Sequence, residues 1–283
     1  MNTEPDEMVI ELLGPLSVHL NRTPVMPSAA KPRQILALLA LNAGRVVTVS
    51  MLAEEIWGDY PPRSAATTLQ TYILQIRNLI AAAVAPGADP KQVLSTRHCG
   101  YLLGSHTSQN DVHEFGRLSR AGRVAAETGD YRAASDLLGR ALALWGGPAL
   151  VDVRMGRVLE LEVTALEENR LGVLERRIES DLALDRHADI LGELTTLAAR
   201  YPMNENFCGH LMTALYRAGH VGRALEAFQR LRAALRDELG VDPCPRLRRL
   251  QQAVLAGDPA LDTAEAARRA AHGRVARRHP VGT

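Results

Sequence analysis

The stretch from Ser64 to Ala83 constrains the chain more than any other. It follows Pro61-Pro62, a pair that ends whatever helix precedes it. With Leu69 at zero and an advance of about 100 degrees per residue, Leu69, Ile73, Ile76 and Ile80 fall within about 60 degrees of one another. That stripe must pack on other helices. The opposite face holds Ser64, Thr67, Thr71, Leu74, Gln75 and Asn78, with no acid among them. Tyr72 and Arg77 flank its two sides. One anchored face and one face rich in donors and acceptors is what a helix needs to enter the DNA major groove. An ordinary solvated helix face is the competing reading, and the neighbouring segments weigh against it.

Residues 8 to 27 alternate between apolar and polar and are interrupted at Gly14-Pro15, Asn21-Arg22 and Pro24, which reads as short strands joined by turns. QILALLALNAG, from Gln34, reads as an apolar helix stopped by Gly44. A second helix takes Ser50 as its N-cap, with Glu54 and Glu55 in its first turns, and closes at Trp57-Gly58. Ser64 caps the third. After the loop APGADP, VLSTRHCGYLLG has strand composition around a turn near His98 to Gly100. Strands, three helices and a terminal hairpin make a winged helix-turn-helix with an N-terminal sheet, assigned to residues 1–105.

In such a fold Gln75 and Asn78 can pair with adenine edges, and the methyls of Thr67 and Thr71 can meet thymine methyls. Arg63, Ser64, Tyr72 and Arg77 suit DNA phosphates. Arg97, just before the hairpin turn, suits the minor groove. Charge adds modest support. Residues 28 to 105 hold seven Lys or Arg (31, 33, 45, 63, 77, 91, 97) against four acids (54, 55, 59, 89), a balance of +3.

From Asp111 to about Leu255 the chain reads as helix after helix. Gly219, Ala224, Phe228 and Leu231 have the small-residue and aromatic spacing of a tetratricopeptide helix pair, and Gly129, Ala134, Leu138 and Ala141 repeat it. Asp185 stands 34 residues before Gly219 and opens a weaker unit with Leu194, Leu197 and Pro202. The expected organisation is therefore a DNA-binding domain at 1–105, a helical domain at 110–260, and a basic, disordered tail at 261–283.

Catalytic and metal chemistry find no support. No phosphate-binding loop, dinucleotide fingerprint, HExxH or GxSxG pattern occurs, and the nine histidines do not cluster at ligand spacings. His98-Cys99 lacks further metal partners. Asp152, Glu160, Glu162, Glu167 and Glu168 read as a solvated, charged helix. A non-enzyme without cofactor or metal is expected. Three dispersed cysteines, no secretion signal and no apolar run of membrane-spanning length point to the cytoplasm and away from membranes.

Particular strings resemble a known family, the small Streptomyces antibiotic regulatory proteins (SARPs) of the AfsR type. LAEEIWGDYPPRSAATTLQTYILQIRNLI and HCGYLLG resemble OmpR-type DNA-binding domains. LWGGPALVDV, LEENRLGVLERRIESDLALDRHADILGEL and the run from LMTALYRAGHVGRALEAF to LAGDP resemble the bacterial transcriptional activation domain. The resemblance spans about residues 8 to 260. It implies a mainly α protein: an OmpR-type winged helix-turn-helix (α+β) followed by an all-α, tetratricopeptide-like activation domain. It implies an activator of a secondary-metabolite (antibiotic) gene cluster that binds promoter direct repeats near the −35 region as tandem protomers. RNA polymerase and its main sigma factor are the implied partners. By position it places base contacts at Thr67, Thr71 and Gln75, backbone contacts at Tyr72 and Arg77, and the wing contact at Arg97. The chain departs from the family in having Leu74, Gln75 and Asn78 around one Arg77, where the pattern after QTY is arginine-rich. Fewer phosphate anchors follow. Two other functions remain open: a tetratricopeptide-type adaptor whose winged helix serves protein contacts, and a regulator that senses a ligand in its helical domain.

Overall fold

The computed structural model describes residues 7–85, 89–104 and 108–262; most of the basic tail expected at 261–283 lies outside them. Two compact units result. One comprises the described residues through Arg120 together with Arg140–Gly172; the other comprises Ala121–Gly139 and the described residues from Val173.

In the first unit, β1 (Met8–Glu11) pairs antiparallel with β2 (Ser17–Leu20) and parallel with β7 (Ser108–Asn110), while β3 (Thr23–Pro24) completes the order β3-β2-β1-β7. The β2–β3 turn is Asn21-Arg22, both at positive φ (52° and 66°), the two-residue turn whose twist matches a hairpin. Three helices follow: α1 (Ala30–Leu41), α2 (Val49–Trp57) and α3 (Ala65–Ala83). β4 (Val46–Thr48), β5 (Leu94–Arg97) and β6 (Gly100–Leu103) form a second sheet in the order β4-β6-β5, and the short helix α4 (Pro90–Val93) leads into β5. This is a winged helix-turn-helix with an N-terminal sheet. The α3 stripe Leu69, Ile73, Ile76 and Ile80 is buried with Ile35, Leu38 and Leu52 of the first two helices in one core.

Several local expectations need correction. The N-cap of α2 is Thr48, whose hydroxyl accepts from the Met51 amide at 3.2 Å; Ser50 already lies inside the helix. Ser64 occupies the N-cap position of α3, but its side chain caps nothing. Its backbone (φ −87°, ψ 8°) sits in a turn instead of the extended conformation that lets a hydroxyl reach back to the helix amides. Helix α1 begins at Ala30, before Gln34, because Pro32 falls in the first turn, where a missing N–H costs nothing.

The helices α5 (Asp111–Glu127), α6 (Tyr131–Ala143) and α7 (Arg157–Ala183) each contribute to both units. The second unit continues with α8 (His187–Arg200), α9 (Glu205–Arg217), α10 (Val221–Leu239) and α11 (Pro245–Ala256). The repeat read from the sequence has a backbone counterpart. Gly129, Asp185 and Gly219, at equivalent repeat positions, are all left-handed (φ 83°, 58° and 78°). Ala224, Phe228 and Leu231 are buried on α10, as are Ala134 and Leu138 on α6.

His210 on α9 is buried, and its Nε2 has no hydrogen-bond partner; the Glu179 carboxylate stands 3.8 Å away. Burial first, and the charge of Arg246 second, hold its imidazole down to about 4 from an ordinary 6.5. The unfolded chain therefore binds a proton between those values that the folded chain refuses, and stability falls as pH drops through that window. The loss should approach about 3 kcal/mol at most. Urea unfolding at pH 7.5 and pH 5 checks this: the midpoint should fall on acidification, and His210→Leu should reduce the fall. An equal fall in the variant would remove His210 as the cause.

Candidate nucleic-acid interface

The outward face of α3 carries Thr67, Thr71, Gln75 and Asn78, all exposed, with Leu74 between them at 57% exposure. Burial of the opposite stripe fixes the helix's rotation about its own axis, so this face turns to solvent because Leu69, Ile73 and Ile76 cannot. The Thr71 hydroxyl donates to the Thr67 carbonyl at 3.1 Å, and the Thr68 hydroxyl to that of Ser64 at 3.0 Å. With its proton engaged, Thr71 offers outward a methyl group and oxygen lone pairs. The face is free of acidic side chains. It combines amides, which donate and accept, with methyls and an exposed leucine, a set suited to base edges and thymine methyls.

Arg63 and Ser64 are exposed at the start of α3, and Tyr72 is half-buried on its flank. Arg77 is occupied. Its Nε and Nη2 donate to the Leu94 carbonyl at 3.1 and 2.9 Å, Nη2 also reaches Thr96 Oγ1 at 2.9 Å, and the guanidinium lies 5.9 Å from the Tyr101 ring centre. The residue expected to serve phosphates thus ties α3 to the first wing strand. Arg33 is also engaged, paired with Asp152. Of the seven cations counted in the sequence, Lys31 lies over the Trp57 ring, 5.5 Å from its centre, and Arg45, Arg63, Lys91 and Arg97 are exposed to solvent.

The wing is short. Arg97 pairs with Gly100 across a turn made by His98 and Cys99, and all three residues from Arg97 to Cys99 are exposed. The tip is held to the start of α2, since the Val49 amide donates to the Cys99 carbonyl at 3.0 Å. Gly100 is required here: a Cβ would stand 2.0 Å from the Val47 carbonyl oxygen. Arg97 therefore projects from a fixed turn beside α2. Among the described residues, no group of His, Cys, Asp or Glu is placed to hold a metal ion, and no helix is long and apolar enough to cross a membrane.

The sequence reading missed a set of carboxylates. Glu55 is 2% exposed, and its carboxylate accepts from Gln34 Nε2 and the Gly156 amide (both 2.6 Å) and from the Leu159 amide (2.9 Å). Asp111 accepts from the Leu12 and Leu13 amides at 2.7 and 2.8 Å, and burial pushes its carboxyl up despite those bonds. Asp152, expected to be solvated, accepts from the Leu16 amide at 2.8 Å and meets Arg33. Glu167, read the same way, accepts from the Ala149 amide at 3.1 Å. One signal was available: Glu55 lies three residues after Leu52, on the same face of α2, where an apolar residue is expected.

Comparison with known proteins places both halves. Residues 110–255 match the bacterial transcriptional activator domain model, and residues 25–103 match that of the transcriptional regulatory protein, C terminal. Regulatory protein DnrI of Streptomyces peucetius is 51% identical over 90% of the chain and 94% of its own length. Regulatory protein AfsR of Streptomyces coelicolor is 37% identical over 90% of the chain, which spans 25% of that larger protein. The solved structure of Mycobacterium tuberculosis EmbR in complex with a low-affinity phosphopeptide superposes with a TM-score of 0.83 at 34% identity, covering 96% of this chain and 71% of that one.

Arg77→Ala leaves the Leu94 carbonyl and Thr96 hydroxyl without their donor and should cost about 1–3 kcal/mol of stability. Urea denaturation of the full chain measures it, and an unchanged midpoint would show that the α3–wing tie carries no weight.

Proposed function

This chain belongs to the Streptomyces antibiotic regulatory protein family of transcriptional activators, and we propose that it switches on a secondary-metabolite gene cluster by reading promoter DNA with α3. The observation that carries the reading is the acid-free outward face of α3, held in place by a fully buried opposite stripe. In the proposed complex Thr67, Thr71, Gln75 and Asn78 meet base edges in the major groove. Arg63, Ser64 and Tyr72 contact the backbone, and Arg97 reaches toward the minor groove from the wing. Arg77 serves the interface chiefly by fixing the wing, with its remaining nitrogen directed at phosphate.

With Arg33 and Arg77 engaged in internal contacts, few cations remain to release counterions on binding. A single site should therefore be weak, and its salt dependence shallow. Direct repeats address this weakness. Two protomers bound head to tail on one face of the duplex, one helical turn apart, share the cost of assembly. The helical domain then meets RNA polymerase and its main sigma factor. The similarity to DnrI and AfsR, both named as regulatory proteins, supports this reading.

A gel shift on promoter DNA against a scrambled duplex tests base reading. Thr71→Ala and Gln75→Ala should each weaken promoter binding by about 5- to 150-fold, from the loss of about 1–3 kcal/mol per base contact, and leave scrambled DNA unaffected. Equal binding by wild type and both variants would sink base reading and favour an adaptor whose winged helix serves protein contacts.

A further inference from the structure

The boundary between the two family matches does not coincide with the boundary of packing. Residues 140–172 belong to the activator-domain match yet lie in the compact unit that carries the DNA-reading helices. Leu150, Val153 and Leu159 join the same buried core as Leu52, Leu69 and Ile73. Backbone bonds add to the join: the Gly146 amide donates to the Leu13 carbonyl at 2.8 Å, and the Leu150 amide to that of Leu12 at 3.1 Å.

Glu55 is the polar centre of this union. Helix α7 begins after Gly156, whose carbonyl accepts the first helical bond, from the Glu160 amide. A helix start leaves its first amides without internal partners. Ordinarily an N-cap Ser or Thr and a Glu three residues on satisfy two of them reciprocally. Gly156 has no side chain with which to do this. The Glu55 carboxylate, arriving from α2, takes both amides, one on each oxygen, at Gly156 and Leu159. The negative charge also suits the positive end of the α7 dipole. The fit is tight from the other side too, since a Cβ on residue 156 would stand 2.0 Å from the Glu55 carbonyl oxygen.

We propose that Glu55 is a positioning residue that locks the start of α7 onto the helix-turn-helix, so that the DNA-reading module of this protein includes residues 146–172 of its activation domain. Glu55 touches no DNA in this scheme. It fixes α2, against which α3 packs, and α3 presents Thr71 and Gln75. Contacts and seat are then linked: whatever holds α3 on its operator also holds the Glu55 bonds, and displacement of the α7 start loosens α3. The proposal rests on the reading that α3 binds promoter DNA.

The test uses the full chain at a temperature where circular dichroism shows each protein folded. Glu55→Gln replaces one acceptor by a donor that opposes the waiting amides, and Gly156→Ala pushes the α7 start away from Glu55. Each should weaken promoter binding by about tenfold or more while scrambled DNA is bound as before, and the double variant should be little worse than either single one. A change in stability alone would leave both affinities of the folded protein unmoved. Folded single variants that bind the promoter like wild type overturn the proposal. Hydrogen exchange on the wild-type chain needs no variant: the Gly156 and Leu159 amides should exchange more slowly with promoter DNA bound, and unchanged rates would contradict the linkage. If the wild type itself fails to select the promoter, the functional reading fails instead, which is a separable outcome.

Discussion

A carboxylate with almost no access to water must be met by donors, and the donors that meet Glu55 come from Gln34 on α1 and from Gly156 and Leu159 at the start of α7, far apart in sequence. Removing one side of such an arrangement leaves a buried charge uncompensated, so α2 and the start of α7 are committed to each other. Asp111 and Asp152 repeat the device at the connection between β1 and β2, where Asp111 accepts the Leu12 and Leu13 amides and Asp152 the Leu16 amide. Glu55 and, through Arg33, Asp152 thus join the two family matches, and Asp111 joins the activator-domain match to the N-terminal sheet. The apolar core does the same, with Leu150, Val153 and Leu159 seated among the residues of α1 to α3.

This construction affects how the recognition face works. The face is poor in cations, and two arginines of the same compact unit serve packing: Arg33 on Asp152 and Arg77 on the wing strand. Charge spent on holding the fold is charge withheld from phosphate. In the proposed reading the protein would give up sequence-independent attraction and rely on a well-fixed helix, which suits discrimination among promoters more than grip on any duplex.

The α3 elements were legible in the sequence because period and composition agree there. Leu69, Ile73, Ile76 and Ile80 recur at helical spacing and are buried, and Thr67, Thr71, Gln75 and Asn78 fall on the exposed side. Gly129, Asp185 and Gly219 were legible as repeat positions through their spacing, and the structure adds that all three are left-handed. Contacts between distant segments left no such mark. Glu55 reads as a helix-dipole residue and Asp152 as a solvated one until the partner amides come into view. Arg77 reads as a phosphate contact because its two partners, the Leu94 carbonyl and the Thr96 hydroxyl, lie across a loop whose path the sequence does not encode. Ser64 was misread as a capping side chain because residue type alone does not report the turn-like ψ at that position.

The central claim is that one face of α3 reads bases. The most direct measurement is a loss-of-contact titration, in which wild type and Gln75→Ala are each bound to an operator series altered one base pair at a time. The account predicts that wild type discriminates strongly at an A·T pair to which Gln75→Ala is indifferent, with discrimination elsewhere retained. If the variant keeps the wild-type profile at every position, α3 does not read DNA through this face.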